Sequence, residues 1–433
     1  MPKRQPAQPR NSSIPGIADL RLAVVSPFVD RRHGSERALA ELLERLARDY
    51  HCAIHLYAER ADDLPLATSK LLDSGQSGRI VWHKVPSIPG PHLVKFVGWM
   101  FANGFLRWWH RGFRRLSFDL VLSPGINCLN ADVIIVHAVF QRLQELARET
   151  GSSVTQSAGT RSSGFFRNLH RRAYYRLLTA LESRLYSDRS TALASVSQRT
   201  AGLLDQYFHR SDVHLIPNGV DTREFSAAAR AARRDAARWR LGLRETDFVL
   251  LLIGNDWRVK GLPVILRAMA QLSALPLHLL VVGDDAIAPF RETAKSLGVL
   301  DRCHWESPRP DVITFYAAAD TYVSPSLEDS FGLPVAEAMA CGLPVITSTY
   351  AGVAGLIHNT VDGFVLPEPE DTQTLARIVE RLYRDAEFRR GIGEAASRTA
   401  QHWTWDRSAA EAWQLLQRLV KTKTRDDPRR GAK

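Results

Sequence analysis

"DSFGLPVAEAMACGLPV", residues 329–345, decides how the rest of the chain is read. Two carboxylates, Asp329 and Glu337, flank a Phe-Gly-Leu-Pro turn, and a second Gly-Leu-Pro follows at 342–344. Glycine and proline punctuate structure, so Gly332-Leu333-Pro334 reads as a loop that turns into a helix. Pro334 fits the first turn, where a missing N–H is harmless. Residues 335–341 continue the helix, Gly342 and Pro344 stop it, and Val345-Ile346 opens a buried strand. Such a helix start presents unpaired amides and the positive end of the macrodipole, which favours an anion. With one carboxylate before the turn and another in the first turn of the helix, the stretch suits a ligand carrying both phosphate and hydroxyl groups.

Outward from this segment, strand and helix patterns alternate. The apolar run LRLAVVSP (20–27) leads through a glycine-containing loop into the amphipathic SERALAELLERLARD (35–49), and DFVLLLIGND (247–256) leads likewise into GLPVILRAMAQL (261–272). Between them lie CAIHLYA, DLVLSP and DVIIVHAV in the first half, and LHLLVVGD, TYVSPS and LPVITS in the second. This alternation predicts an α/β fold of two Rossmann-like, doubly wound domains, parallel sheets covered by helices and facing each other across a cleft. The expected divisions are a disordered arm at 1–17, a first Rossmann-like domain at 18–212, a second at 213–400, a helix at 401–420 packing back on the junction, and a disordered tail at 421–433. In such folds ligands lie at the carboxyl ends of the strands.

The 433 residues suffice for two full cores. Four scattered cysteines (Cys52, Cys128, Cys303, Cys341) show no metal or redox spacing and point to a reducing compartment, hence a cytoplasmic location. No apolar run is long enough to span a membrane. A net charge of +11 and a pI near 9.7 invite anionic partners. Residues 92–118, HLVKFVGWMFANGFLRWWHRGFRRLSF, contain no acid and mix Lys95, Arg107, Arg111, Arg114 and Arg115 with Phe96, Trp99, Trp108 and Trp109. Apolar positions recur there at helical spacing (Leu93, Phe96, Val97, Met100, Phe101, Phe105, Trp108). Two readings stand: an interfacial helix on an anionic membrane surface, or a core helix with one solvated basic face. P-loop, GxSxG, HExxH and dinucleotide signatures are missing. So are helix-turn-helix, zinc and RNP signatures, which argues against a nucleic-acid partner.

These motifs together resemble the family 4 glycosyltransferases, retaining enzymes of the two-domain GT-B fold, over roughly residues 20–415. PSLEDSFGLPVAEAMACGLPVI is similar to the family's carboxylate-x7-carboxylate signature, and LIPNGVDTREF, with Asn218, to its interdomain motif. IGNDWRVKG resembles the donor-phosphate loop, with Gly254 and the basic Lys260; its form is closest to the lipopolysaccharide-core type, where a second basic residue adjoins the lysine. Arg258 could serve, though two positions away rather than one. HGSERALAELLERL resembles the N-terminal glycine loop, with Gly34, and VIIVHAVF places His137 at the family's acceptor-side histidine.

The resemblance implies transfer of a hexose from a UDP- or GDP-linked sugar to a lipid-linked or polysaccharide acceptor at the cytoplasmic membrane face, without a metal or other cofactor. Lys260, Arg258 and the amides of Gly332 and Leu333 would stabilise charge growing on the diphosphate. Glu337 would accept the ribose hydroxyls, Asp329 would hold the donor sugar, and His137 would orient the acceptor hydroxyl or take its proton. The family usually has glutamate where this chain has Asp329, and Glu328 beside it competes for that place. The rivals are a GT-B protein that binds nucleotide sugars without transferring them, or a basic nucleic-acid-binding protein.

Overall fold

The computed structural model describes residues 20–31, 34–62, 64, 67–68, 78–149 and 165–426. The expected arm at 1–17 lies outside them. In chain order the first half runs β1 (Arg21–Val25), β2 (Phe28–Val29), α1 (Gly34–Arg48), β3 (Ala53–Ala58), β4 (Arg60–Ala61), β5 (Ala67–Thr68), β6 (Ile80–Lys84), α2 (His92–Phe113), β7 (Leu120–Pro124), β8 (Val133–Val136), α3 (Phe140–Glu149), α4 (Phe165–Ser187), β9 (Ala192–Ser195), α5 (Gln198–Phe208) and β10 (His214–Leu215). The second half runs α6 (Ala227–Arg240), β11 (Phe248–Ile253), α7 (Leu262–Gln271), β12 (Leu277–Val282), α8 (Ile287–Ser296), β13 (Cys303–Glu306), α9 (Ile313–Ala318), β14 (Thr321–Ser324), α10 (Leu333–Ala340), β15 (Val345–Ser348), β16 (Phe364–Leu366), α11 (Thr372–Arg384), α12 (Ala386–Ala400) and α13 (Trp405–Asp426).

The strands form two parallel sheets. The first has the order β10-β9-β8-β7-β1-β3-β6-β5, and the second β13-β12-β11-β14-β15-β16. Continuous apolar runs such as β11, FVLLLI, become strands because both faces are covered: five of its six residues are buried. Renumbered within its sheet, the second order is 3-2-1-4-5-6, so the chain reverses direction between β11 and β14. The loops leaving those two strands flank the crevice where such sheets bind ligands. They carry Gly254 and Lys260 after β11, and Asp329 and Gly332 after β14. In the first sheet, Gly34 opens the helix reached from β1 and His137 directly follows β8.

Two expectations shift. The strand His214–Leu215 pairs with β9, so the first domain's sheet extends past the expected boundary at 213. The last helix runs on to Asp426 rather than ending at 420, because Lys423 reaches back to the first domain and pairs with Asp132 at 2.5 Å. That helix packs along α1, with Trp413 against Tyr50 (ring centroids 5.2 Å apart) and Arg45 bonded to Asp406. At the junction the Val220 N–H donates to the Trp403 carbonyl at 2.7 Å. Gly219 lies so close that a Cβ there would stand 2.2 Å from the Trp405 nitrogen, which accounts for the glycine of the Pro-Asn-Gly turn.

Helix α2 departs from its apolar periodicity. Its buried positions are Gly98, Trp99, Asn103 and His110, while Phe101, Phe105, Trp108, Trp109 and Phe113 are exposed. Local bonds make the polar interior tenable: the Asn103 amide donates to the Trp99 carbonyl at 2.7 Å, and His110 Nδ1 lies 2.9 Å from the Tyr57 hydroxyl. Beneath the helix, His83 stacks on Tyr57 and its Nε2 lies 2.9 Å from Nδ1 of His55. Burial, reinforced by neighbouring cations, pulls His55 down to about 4 and His83 to about 3, and burial also lowers His110. No described helix is long and apolar enough to cross a membrane.

Candidate functional site

Lys260 reaches across the crevice from the β11 side and donates to Asp329 Oδ2 at 2.5 Å. Its stem runs over Gly254, whose φ of +138° is a conformation open to glycine; a Cβ there would sit 3.3 Å from Lys260 Cε. Asp329 is held extended: its N–H donates to the Tyr350 carbonyl (3.0 Å), and its own carbonyl accepts from Gly352 N–H (2.8 Å). In an extended backbone, successive side chains point to opposite sides. Asp329 accordingly faces Lys260, whereas Glu328 faces the first domain, where Arg199 and Arg142 hold it. Of the two adjacent acids, Asp329 is the one in the crevice at the strand-order reversal.

The turn that follows places Gly332 at the N-cap of α10 in the left-handed region (φ +91°), with no side-chain cap. Pro334 has no N–H and the Val335 N–H donates to the Gly332 carbonyl at 3.0 Å, so the Leu333 N–H is the first-turn amide left for a ligand beside Lys260 and Asp329. A Cβ on Gly332 would come within 3.2 Å of Val353 and 3.5 Å of Asp329 Oδ2. Leu333 faces Gly34 across the cleft, its Cδ1 lying 3.6 Å from where a Gly34 Cβ would stand.

Glu337 is the fifth residue of α10 and lies in its second turn, not its first, because Leu333 and Pro334 are already helical. Its side chain is 6% exposed, and each carboxylate oxygen has a partner. Arg37 from α1 donates to Oε1 and the Tyr316 hydroxyl to Oε2, both at 2.7 Å. Burial, with Glu337 adding to it, pushes the Tyr316 phenol far above its ordinary range, so it stays a donor. Arg37 also lies over the Phe225 ring, 5.7 Å from its centroid. Burial works against its charge, but Glu337 and Glu41 outweigh that and raise its pKa.

On the first-domain side, His137 is half-buried at the end of β8. Burial lowers it to about 4, which leaves a neutral imidazole at neutral pH. The following loop is fixed by Glu182, whose carboxylate accepts from the Phe140 and Gln141 N–H groups at 2.8 and 3.1 Å. Burial raises that carboxyl to about 7 despite the two bonds.

The structure brings Lys260, Asp329, Gly254, Gly332 and Leu333 together around the crevice, with Gly34 and Glu337 at its rim. Arg258 is exposed and has no ion-pair partner among the described residues. Asn218 is buried at the domain junction and is hydrogen bonded to none of these groups. Three cleft arginines escaped the sequence reading: Arg37, Arg142 and Arg199. They occupy the fourth position of α1, the third of α3 and the second of α5, each against the local dipole. A cation at a helix start is the signal that could have marked them. Among the described residues, no cluster of three or more His, Cys, Asp or Glu could hold a metal ion.

A crevice at a strand-order reversal, lined by a lysine–aspartate pair and an uncapped glycine helix start, faces a second Rossmann-like domain; this is the GT-B arrangement. Residues 32–224 match Glycosyltransferase Family 4, and residues 233–399 match Glycosyl transferases group 1. The chain belongs to the family 4 glycosyltransferases. It is 32% identical over 246 residues to D-inositol 3-phosphate glycosyltransferase of Salinispora arenicola, covering 53% of this chain and 55% of that protein. To lipopolysaccharide glucosyltransferase WaaG of Escherichia coli it is 28% identical over 229 residues, covering 51% and 61%. The chain thus spans about half the length of the curated relatives it matches. In fold it is similar to crystal structures of WaaG (TM-score 0.68, 21% identity, 92% and 99% covered) and of Anabaena HepE in complex with UDP and glucose (0.66, 18%, 92% and 99%).

Proposed function

We propose that this protein transfers a hexose, with retention, from a UDP- or GDP-linked sugar to a lipid-linked or polysaccharide acceptor at the cytoplasmic face of a membrane. The observation that carries the reading is the Lys260–Asp329 pair set beside the uncapped start of α10 at the strand-order reversal. As the bond from the anomeric carbon to the diphosphate breaks, negative charge grows on the departing phosphate. Lys260, Arg258 and the amides of Gly332 and Leu333 meet it, with no metal needed in the role. In the absence of ligand Asp329 neutralises Lys260; a bound diphosphate takes over the lysine and frees Asp329 for a sugar hydroxyl. Glu337 accepts the ribose hydroxyls. Neutral His137 can accept a hydrogen bond from the acceptor hydroxyl, whose oxygen replaces the diphosphate at the anomeric carbon.

The choice of nucleotide is supported by HepE, whose structure holds UDP and glucose, and the choice of acceptor class by the name of WaaG. Membrane attachment is supported by the outer face of α2, where Phe101 is 75% exposed among other aromatics and Arg111, Arg114 and Arg115 follow at the helix end. Aromatic rings and cations on one exposed face suit anionic headgroups. The test is a thermal-shift screen against UDP, GDP, ADP and CDP and their hexose conjugates, followed by turnover with the stabilising donor. A rise with one nucleotide and release of its diphosphate in the presence of acceptor is the expected result. No shift with any of them, and no turnover, refutes the reading.

A further inference from the structure

We infer that Glu328 is a positioning residue, an interdomain clasp that fixes the segment carrying Asp329 against the loop carrying His137. The inference rests on the reading that these two residues serve donor and acceptor.

The Glu328 side chain is 9% exposed and is gripped from the other domain by two guanidinium groups. Arg199 Nε donates to Oε1 at 2.9 Å and Arg199 Nη2 to Oε2, a two-point fork; Arg142 Nε adds a bond to Oε2 at 3.3 Å. Arg199 is itself braced over the Tyr350 ring, 4.7 Å from its centroid. Tyr350 in turn accepts the Asp329 N–H through its carbonyl. The next residue is docked as well: the Ser330 carbonyl accepts from the Ser197 hydroxyl at 2.6 Å. Both arginines stand in the first turn of a helix, α3 and α5, where the dipole is positive. One carboxylate from the second domain therefore meets two cations and two helix starts of the first.

The geometry links the clasp to the reacting groups. Asp329 is one residue from Glu328 and points the other way, to Lys260. Arg142 is five residues after His137, on the helix that the His137 loop enters. A cavity between the domains has walls from both partners, Ala138, Val139 and Arg142 on one side and Glu328 and Ser330 on the other. The ion-pair cluster thus ties the segment that carries Asp329 to the helix that the His137 loop enters.

The test uses the full chain with Glu328→Gln, which keeps the shape and removes the charge, and Arg199→Lys, which keeps the charge and loses the fork. Binding of the nucleoside diphosphate should stay within about threefold of wild type, because Lys260 and the start of α10 are untouched, while kcat for transfer should fall between about tenfold and a hundredfold, the range expected when reacting groups shift by about 1 Å. Arg199→Lys should fall between the two proteins. Small-angle scattering should show a larger radius of gyration for Glu328→Gln than for wild type, while added salt should change the wild-type radius little, because a buried pair is weakly screened. Unchanged kcat with an unchanged radius overturns the clasp. A variant that loses nucleotide binding together with kcat also overturns it, since Glu328 would then act on the donor site directly. If wild type binds no nucleotide at all, the functional reading fails while the scattering comparison still decides the clasp.

Discussion

Replacing Lys260 by Met isolates the charge at the centre of the crevice. The methionine keeps most of the stem that lies over Gly254, at 3.3 Å from the position of its missing Cβ, so packing is preserved. The ammonium that meets Asp329 at 2.5 Å, and by the mechanism above the departing diphosphate, is lost. A preorganised donor of this kind contributes about 3 kcal/mol to the transition state. At 1.36 kcal/mol per decade that corresponds to a loss of about 150-fold in kcat/KM. Asp329, with a side chain 15% exposed, is also left without its partner. The free protein should therefore be less stable by about 1–3 kcal/mol. The assay is release of nucleoside diphosphate under subsaturating donor, with circular dichroism to verify the fold. Lys260→Arg, which restores charge, should recover part of the rate. A Met variant that turns over within threefold of wild type would falsify the assignment of Lys260 to the departing phosphate.

Three further outcomes are expected. Gly219→Ala places a Cβ 2.2 Å from the Trp405 nitrogen and should destabilise the junction by about 3 kcal/mol or more; a wild-type urea midpoint would show that the two passages of chain can separate. Changing Arg111, Arg114 and Arg115 to Gln should weaken binding to anionic vesicles about 100-fold at low salt, at about 1 kcal/mol per charge, and leave nucleotide binding alone; equal affinity of variant and wild type counts against α2 as the lipid-facing element. Acid should weaken the fold through His55 and His83, which burial lowers from 6.5 to about 4 and about 3. Their neutral forms are fully favourable above pH 6.5; below it the unfolded chain binds protons that the folded chain refuses, so stability drops as pH falls from 6.5 toward 4. A urea midpoint that stays constant between pH 7 and 5 would contradict this.

The second domain was the more legible half of the chain. Its strands are buried on both faces, so β11 appears as an uninterrupted apolar run and β12 as one broken only by His278, and the turn glycines Gly254 and Gly332 stand where a positive φ demands them. Glu337 was recognisable, but its turn was not, because helix geometry at Leu333-Pro334 depends on a left-handed Gly332. The first domain was harder to read. In α2 the apolar spacing left an interfacial and a core reading open: Asn103 and His110 are buried because each finds a hydrogen-bond partner, Trp99 is buried with them, and Phe101, Phe105, Trp108, Trp109 and Phe113 are left outside. Arg37 and Glu337 are 300 positions apart, and no local pattern announces such a pair. The cluster of Arg142, Arg199 and Glu328 is hidden for the same reason.

The junction has a mechanical consequence. The polypeptide passes from the first domain to the second near Val220 and comes back near Trp403, and these passages are bonded to each other at 2.7 Å. Two crossings bonded to each other at one place hold the domains at a common pivot, whereas a single linker would join them by one passage of chain alone. With α13 lying on α1, the terminal helix travels with the first domain although most of the chain just before it belongs to the second. The ion pairs Arg37–Glu337 and Arg199–Glu328 add further ties between the same two domains, so the crevice is braced from its own walls as well as at the junction.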